Sequence, residues 1–251
     1  MTGYRSSGYM NTARVSPDEY LRNFLADARK RHTEDNLRAV LIYGSYIEGY
    51  FAPTESDYDI LMFFGRQPDP EHRPAMEQKY PRISLMYYLT IPELEERIEN
   101  GSWSLYITVL KGAGVLYQDE TFKQFVSGLK DFDMRKHISN KEATKKITEK
   151  FDEEIKAQSQ REKFEAVKWF VPTVRRMLQI LTYLRYHQTV WGLQQNLQML
   201  QDTLANDDMA FMRQMQQRLL DRSTSFSPGD KRCAMAILNK LRNAVLNELD
   251  T

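Results

Sequence analysis

A chain of 251 residues, 41% hydrophobic and 27% charged, has the composition of a globular protein with material for one large domain or two of moderate size. No apolar run approaches the roughly 18 residues a membrane span needs, and the opening MTGYRSSGYMNTARVS lacks the apolar stretch of a secretory signal, so a cytoplasmic protein with no membrane partner is expected. The net charge of +1 argues against a dedicated nucleic-acid binder, and a single cysteine excludes an internal disulfide and a cysteine-built zinc site.

Residues 1–15 are polar and read as a flexible arm. Ser16 then caps a helix, with Pro17 in its first turn, Glu19 closing a capping box, and Tyr20, Leu21, Phe24, Leu25 and Ala28 at helical spacing. Arg38 to Tyr43 is a buried strand that stops at Gly44-Ser45. Tyr58 to Phe64 is almost continuously apolar, as in a strand covered on both faces. A loop with Pro68, Pro70 and Pro74 leads to a third strand, Arg82 to Leu89. Thr90-x-x-Glu93 starts a short helix, Trp103 to Leu110 reads as helical, and Gly112 to Tyr117 is a last short strand.

From about residue 141 helical periodicity takes over, with helices expected at 141–165, 167–188, 191–205, 208–222 and 228–249. Ser227 caps the last, with Pro228 in its first turn, and Pro172 is placed to start or kink its helix. Cys233 falls in this pattern as a small buried or half-buried residue. The expected fold class is therefore α+β. A small mixed-sheet domain over residues 16–125 precedes an all-α helical bundle over 126–251, the two joined at about 119–140.

One segment carries chemistry: Ile42-Tyr43-Gly44-Ser45-Tyr46-Ile47-Glu48-Gly49, then six residues, then Ser56-Asp57-Tyr58-Asp59-Ile60-Leu61-Met62. Gly44 lets a ligand approach the backbone closely, and the free N–H groups of a helix starting at Ser45 attract phosphate. Asp57 and Asp59 stand two residues apart on a strand, so both carboxylates project from one face. Such a pair repels itself unless a cation intervenes, and Mg2+ is the oxygen-seeking cation that accompanies an NTP.

The pattern Gly-Ser-x3-Gly followed by Ser-Asp-x-Asp and an apolar run resembles the signature of the polymerase-β-like nucleotidyltransferases. The resemblance covers about residues 38–118 and is sharpest at 42–62; Pro92 to Glu96 and Gly114 to Tyr117 agree more loosely. It implies that Gly44 and Ser45 contact the β- and γ-phosphates, and that Asp57 and Asp59 are catalytic and hold Mg2+. It also implies transfer of an NMP, with ATP and hence AMP foremost, to a hydroxyl. The two-part layout is similar to that of the aminoglycoside nucleotidyltransferases, which points to a small-molecule acceptor and to a homodimer. A protein or RNA acceptor, or an NTP-binding regulatory protein with impaired catalysis, are the alternatives.

The family supplies a third carboxylate from the next strand, and here Ser84 stands at the corresponding place. Serine is a poor base and a weak metal ligand. Glu153, Glu154, Glu162 and Glu165 in the 141–165 helix, and Glu77, are alternative bases, although Lys150, Lys156 and Lys163 make the helical acids read as a solvated face. His32, His72, His137 and His187 show no metal-ligand spacing, and Arg185-Tyr186-His187 is too compact for an Arg/His nuclease pair. Trp169, Phe170, Tyr183, Tyr186 and Trp191 fall near helical spacing and read as core.

Overall fold

The computed structural model describes residues 18–33, 35–49, 51, 56–133, 140–160, 166–223 and 225–250. The expected arm at 1–15, Ser16, Pro17, His137, Glu162, Lys163 and Glu165 lie outside them. The architecture is α+β, a mixed four-stranded sheet with helices followed by a helical region. Two compact units divide the chain. The first comprises the described residues of Met1–Ile47, Pro53–Ile91 and Val109–Lys130; the second comprises those of Glu48–Ala52, Pro92–Thr108 and Asp131–Thr251.

In the first unit helix α1 runs Glu19–His32. Its observed cap is Asp18, whose carboxylate accepts from the Leu21 amide at 2.9 Å. Strands β1 (Leu37–Tyr43), β2 (Tyr58–Phe64), β3 (Ile83–Thr90) and β4 (Gly114–Gln118) form a sheet in the order β3-β2-β1-β4. Strand β1 is antiparallel to both β2 and β4, while β2 and β3 are parallel. The interior strands are apolar for the expected reason: Ala39 to Ile42 and Ile60 to Phe64 are fully buried. The short helix α2, Ser45–Glu48, follows Gly44 directly.

Two segments differ from the expectation. The proline-bearing loop contains helix α3, His72–Lys79. Pro74 is tolerated because it stands in the first turn, where an N–H has no intrahelical partner. The expected joining segment carries helix α6, Glu120–Gly128, capped by Asp119 through the Phe122 amide at 2.8 Å. Phe122 and Val126, four residues apart, are its buried face.

The second unit is helical. It contains α4 (Ile91–Glu99, from Pro92), α5 (Trp103–Ile107), α7 (Asn140–Gln160), α8 (Ala166–Tyr186), α9 (Leu193–Met199), α10 (Asn206–Leu220) and α11 (Pro228–Leu249). Helix α8 is central and packs against α5, α7, α9, α10 and α11. It is accordingly apolar on most of its circumference, burying Phe170, Val174, Met177, Leu178 and Leu181 among others. Pro172 lies inside α8 and does not start it. Helix α9 ends at Met199, short of the expected 205, and turns follow to residue 204.

Ser227 caps α11 in a capping box with Asp230. Cys233 is exposed rather than buried, because the inward stripe of α11 passes through Ala234, Ile237, Leu238 and Leu241. Trp169 and Tyr186, expected in the core, are each 40% exposed on α8, whereas Phe170 and Tyr183 are buried. No described helix is long and apolar enough to cross a membrane.

Candidate functional site

The two halves of the motif meet at the ends of β1 and β2. Tyr43, the last residue of β1, is the register partner of Asp59. Gly44 follows with φ +70°, the left-handed region that side chains avoid. A Cβ placed there would stand 2.3 Å from Oδ2 of Asp59 and 3.3 Å from its carboxyl carbon. The Asp59 carboxylate therefore packs directly on the glycine backbone, and only glycine leaves room for it. Ser45 opens α2 at this point, and its first turn closes with Ile47 N donating to Gly44 O at 3.1 Å.

Asp57 is exposed and immediately precedes the first residue of β2. Between it and Asp59 lies Tyr58, buried, its hydroxyl donating to Asp18 at 2.5 Å. Burial and this hydrogen bond push the Tyr58 phenol up to about 12, so it stays protonated and neutral at physiological pH. Among the described residues no three His, Cys, Asp or Glu side chains gather into a metal cage. Asp59 beside the glycine turn, with Asp57 two residues earlier in the chain, offers carboxylate oxygens that would suit Mg2+ only when further oxygens, such as those of a triphosphate, complete its shell.

On the other side of Asp59 stands Ser84. The two are register partners across the parallel β2–β3 pair, so Ser84 occupies the position next to the acid. Beyond it the register shifts, Ile60 pairing with Leu85 and Leu61 with Tyr87, which leaves Met86 as an inserted residue. The Ser84 hydroxyl donates to the Met86 sulfur at 3.3 Å, and Met86 is 49% exposed.

Glu77 on α3 pairs with Arg73 at 3.1 Å. Glu153 is exposed on α7, and Glu154 pairs with Arg176 of α8 at 2.9 Å; both belong to the second unit. Arg185 is committed to Glu248 at 2.5 Å and to Thr203, while His187 lies exposed beyond α8. His32 and His72 do come together: their Nδ1 atoms are 3.3 Å apart, and Tyr88 Oη lies 2.9 Å from His32 Nε2.

Two arrangements escaped the sequence. Glu48, the last residue of α2, forms an ion pair with Arg175 of α8, and the Arg175 guanidinium lies 4.3 Å from the Trp191 ring centroid. Arg82, just before β3, lies over the rings of Tyr20 and Tyr58. A solitary arginine beside a strand and a glutamate far from its partner leave no local pattern to read.

A two-part α+β chain with a glycine turn packed on a strand aspartate is the class that fold and site define. Among solved structures it is similar to spectinomycin adenyltransferase AAD(9) from Enterococcus faecialis with ATP and spectinomycin, at a TM-score of 0.49 and 14% identity, over 89% of this chain and 97% of that one. No family model and no curated protein matches the chain.

Proposed function

We propose that the chain is an Mg2+-dependent nucleotidyltransferase that moves an NMP, AMP foremost, from an NTP to a hydroxyl of a small-molecule acceptor of aminoglycoside type. The observation that supports this most is the contact of the Asp59 carboxylate with the Gly44 turn, which joins an anion-attracting helix start to a metal-seeking acid. In this reading residues 16–125 are the nucleotidyltransferase domain and 126–251 the helical bundle domain, in a cytoplasmic protein that works as a homodimer.

Gly44 and Ser45 hold the β- and γ-phosphates through backbone N–H groups. Asp57 and Asp59 hold Mg2+, which when bound supplies charge neutralisation on the triphosphate. The acceptor oxygen forms a bond to the α-phosphorus as the bond from that phosphorus to the bridging oxygen breaks. Pyrophosphate leaves, and the acceptor's proton passes to solvent.

Ser84 favours a second reading, a protein that binds an NTP and transfers slowly or not at all. It stands beside Asp59 with a hydroxyl already donated to Met86, and offers neither negative charge nor a base.

The test is calorimetric titration with ATP, GTP, CTP and UTP, with and without Mg2+, on the protein and on an Asp57→Ala/Asp59→Ala variant. Metal-dependent binding that the variant loses is the expected result. Pyrophosphate release with an acceptor panel, spectinomycin first, then separates the two readings. Absence of binding by any NTP overturns both.

A further inference from the structure

Tyr58 separates the two candidate acids, and its ring is 2% exposed. Helix α1 holds it from one direction. Tyr20 stacks on it with centroids 5.6 Å apart and planes 19° from parallel, and Asp18 accepts from its hydroxyl through the carboxylate that also caps α1. Arg82 holds it from another, with its guanidinium 5.0 Å from the Tyr58 centroid and 5.6 Å from that of Tyr20. The Arg82 amide donates to the Tyr20 hydroxyl at 3.2 Å.

Arg82 also grips the backbone on both sides of Asp57. Its guanidinium donates to the Ser56 carbonyl at 3.3 Å, and its own carbonyl accepts from the Tyr58 amide at 2.8 Å. Asp57 itself is exposed and lies just outside the strand, so the ladder of β2 begins one residue too late to fix it. A metal-binding carboxylate must be held to about 0.5 Å to coordinate well. A guanidinium is suited to the task, being planar, permanently charged and able to stack on two rings while its edge donates to a carbonyl.

We infer that Arg82 is a positioning residue for Asp57, setting where that carboxylate stands for the metal of a metal–triphosphate complex. The inference rests on the nucleotide-binding reading above and goes beyond it by naming the residue that gives the metal site its geometry.

The experiment titrates a non-hydrolysable ATP analogue, with Mn2+ and without metal, into the unsubstituted protein, Asp57→Asn, Arg82→Met and Arg82→Lys. Thermal melts verify that each variant is folded, and methionine keeps the aliphatic packing on Tyr20 and Tyr58. Arg82→Met is expected to weaken metal-dependent binding by about 10- to 100-fold, as loss of a supporting contact does at a metal site. Metal-free binding, carried by Gly44 and Ser45, stays unchanged. Arg82→Lys, which still places a cation over the rings and a donor near Ser56, recovers most of the affinity.

Metal-dependent binding by Arg82→Met equal to that of the unsubstituted protein overturns the inference, while the nucleotide reading stands if Asp57→Asn has lost it. Equal loss of metal-free binding shows a merely structural role and overturns it as well. Failure of the unsubstituted protein to bind the metal–nucleotide complex at all removes the reading beneath it.

Discussion

Polar side chains that enter the interior of the sheet unit find partners there. The Asn36 side-chain oxygen accepts from the Arg66 amide at 2.9 Å, and the Tyr80 hydroxyl donates to Asp27 at 2.5 Å. The helical unit does so only in part: Thr182 donates to Asn196 at 2.8 Å and Gln179 to the Trp191 carbonyl at 2.9 Å, but other buried groups go unmet. Among the described residues the buried side-chain polar atoms that lack a hydrogen bond are Glu48 Oε1, Glu154 Oε2, Arg175 Nε, Arg176 Nε and Trp191 Nε1, all in the second unit. Four of them belong to two ion pairs made by consecutive arginines of α8. In the sheet unit the partners are a loop amide for Asn36 and an α1 carboxylate for Tyr80. A central helix has its own backbone already paired, so a charge carried on it must be met by other side chains, and these meet it only in part.

The sharpest way to break this contrast is to remove one member of the buried pair. Arg175 and Glu48 have side chains only 8% and 13% exposed, so Arg175→Ala strands a carboxylate away from water. A loss of about 3–5 kcal/mol is expected in urea denaturation. The double variant Arg175→Met/Glu48→Leu, which removes both charges, is expected to recover most of that loss. If the single variant costs under about 1 kcal/mol, the pair is not held as a buried pair and the contrast between the units fails.

A smaller effect, in the sheet unit, tests the contact that joins the two halves of the motif. Gly44→Ala puts a side chain at φ +70° and a methyl where Asp59 Oδ2 now sits. The backbone strain costs about 1–3 kcal/mol, and the carboxylate must move. Metal-dependent NTP binding is expected to fall much further than the melting temperature suggests. Retained binding in a correctly folded Gly44→Ala would mean that the position of Asp59 is unimportant to the nucleotide.

These two sites also mark how far the sequence could be read. The glycine turn and both aspartates lie within sixteen residues, and the apolar runs on either side delimit the strands, so the meeting of Gly44 with Asp59 followed from local pattern. Ser84 was singled out because the family resemblance places an acid on the third strand, and the register sets it opposite Asp59. Helix α3 was hidden because three prolines read as loop, although Pro74 stands where a helix accepts proline. The Glu48–Arg175 and Arg82–Tyr58 contacts were hidden because each depends on packing between distant segments. His32 and His72 belong with them: forty residues apart and outside any ligand spacing, they are neighbours only because α1 and α3 pack together.

That histidine pair gives an effect in the sheet unit that appears only as the pH falls. Burial first, then the neighbouring His72 and Arg31, pulls the His32 imidazole down from 6.5 to about 4. The folded state therefore keeps the ring neutral where an unfolded chain would protonate it. Between pH 6.5 and 4 the unfolded chain binds the extra proton, so stability falls as the pH drops through that window and levels off below it. The full shift corresponds to about 3 kcal/mol, and screening of the partly wetted pair brings the expected loss to roughly 2 kcal/mol. His32→Phe keeps the ring contact with Phe64 and removes the titration, so its melting temperature should decline less over the same window than that of the unsubstituted protein. Parallel declines would show that acid acts through other groups, and that the sheet unit does not hold this imidazole neutral.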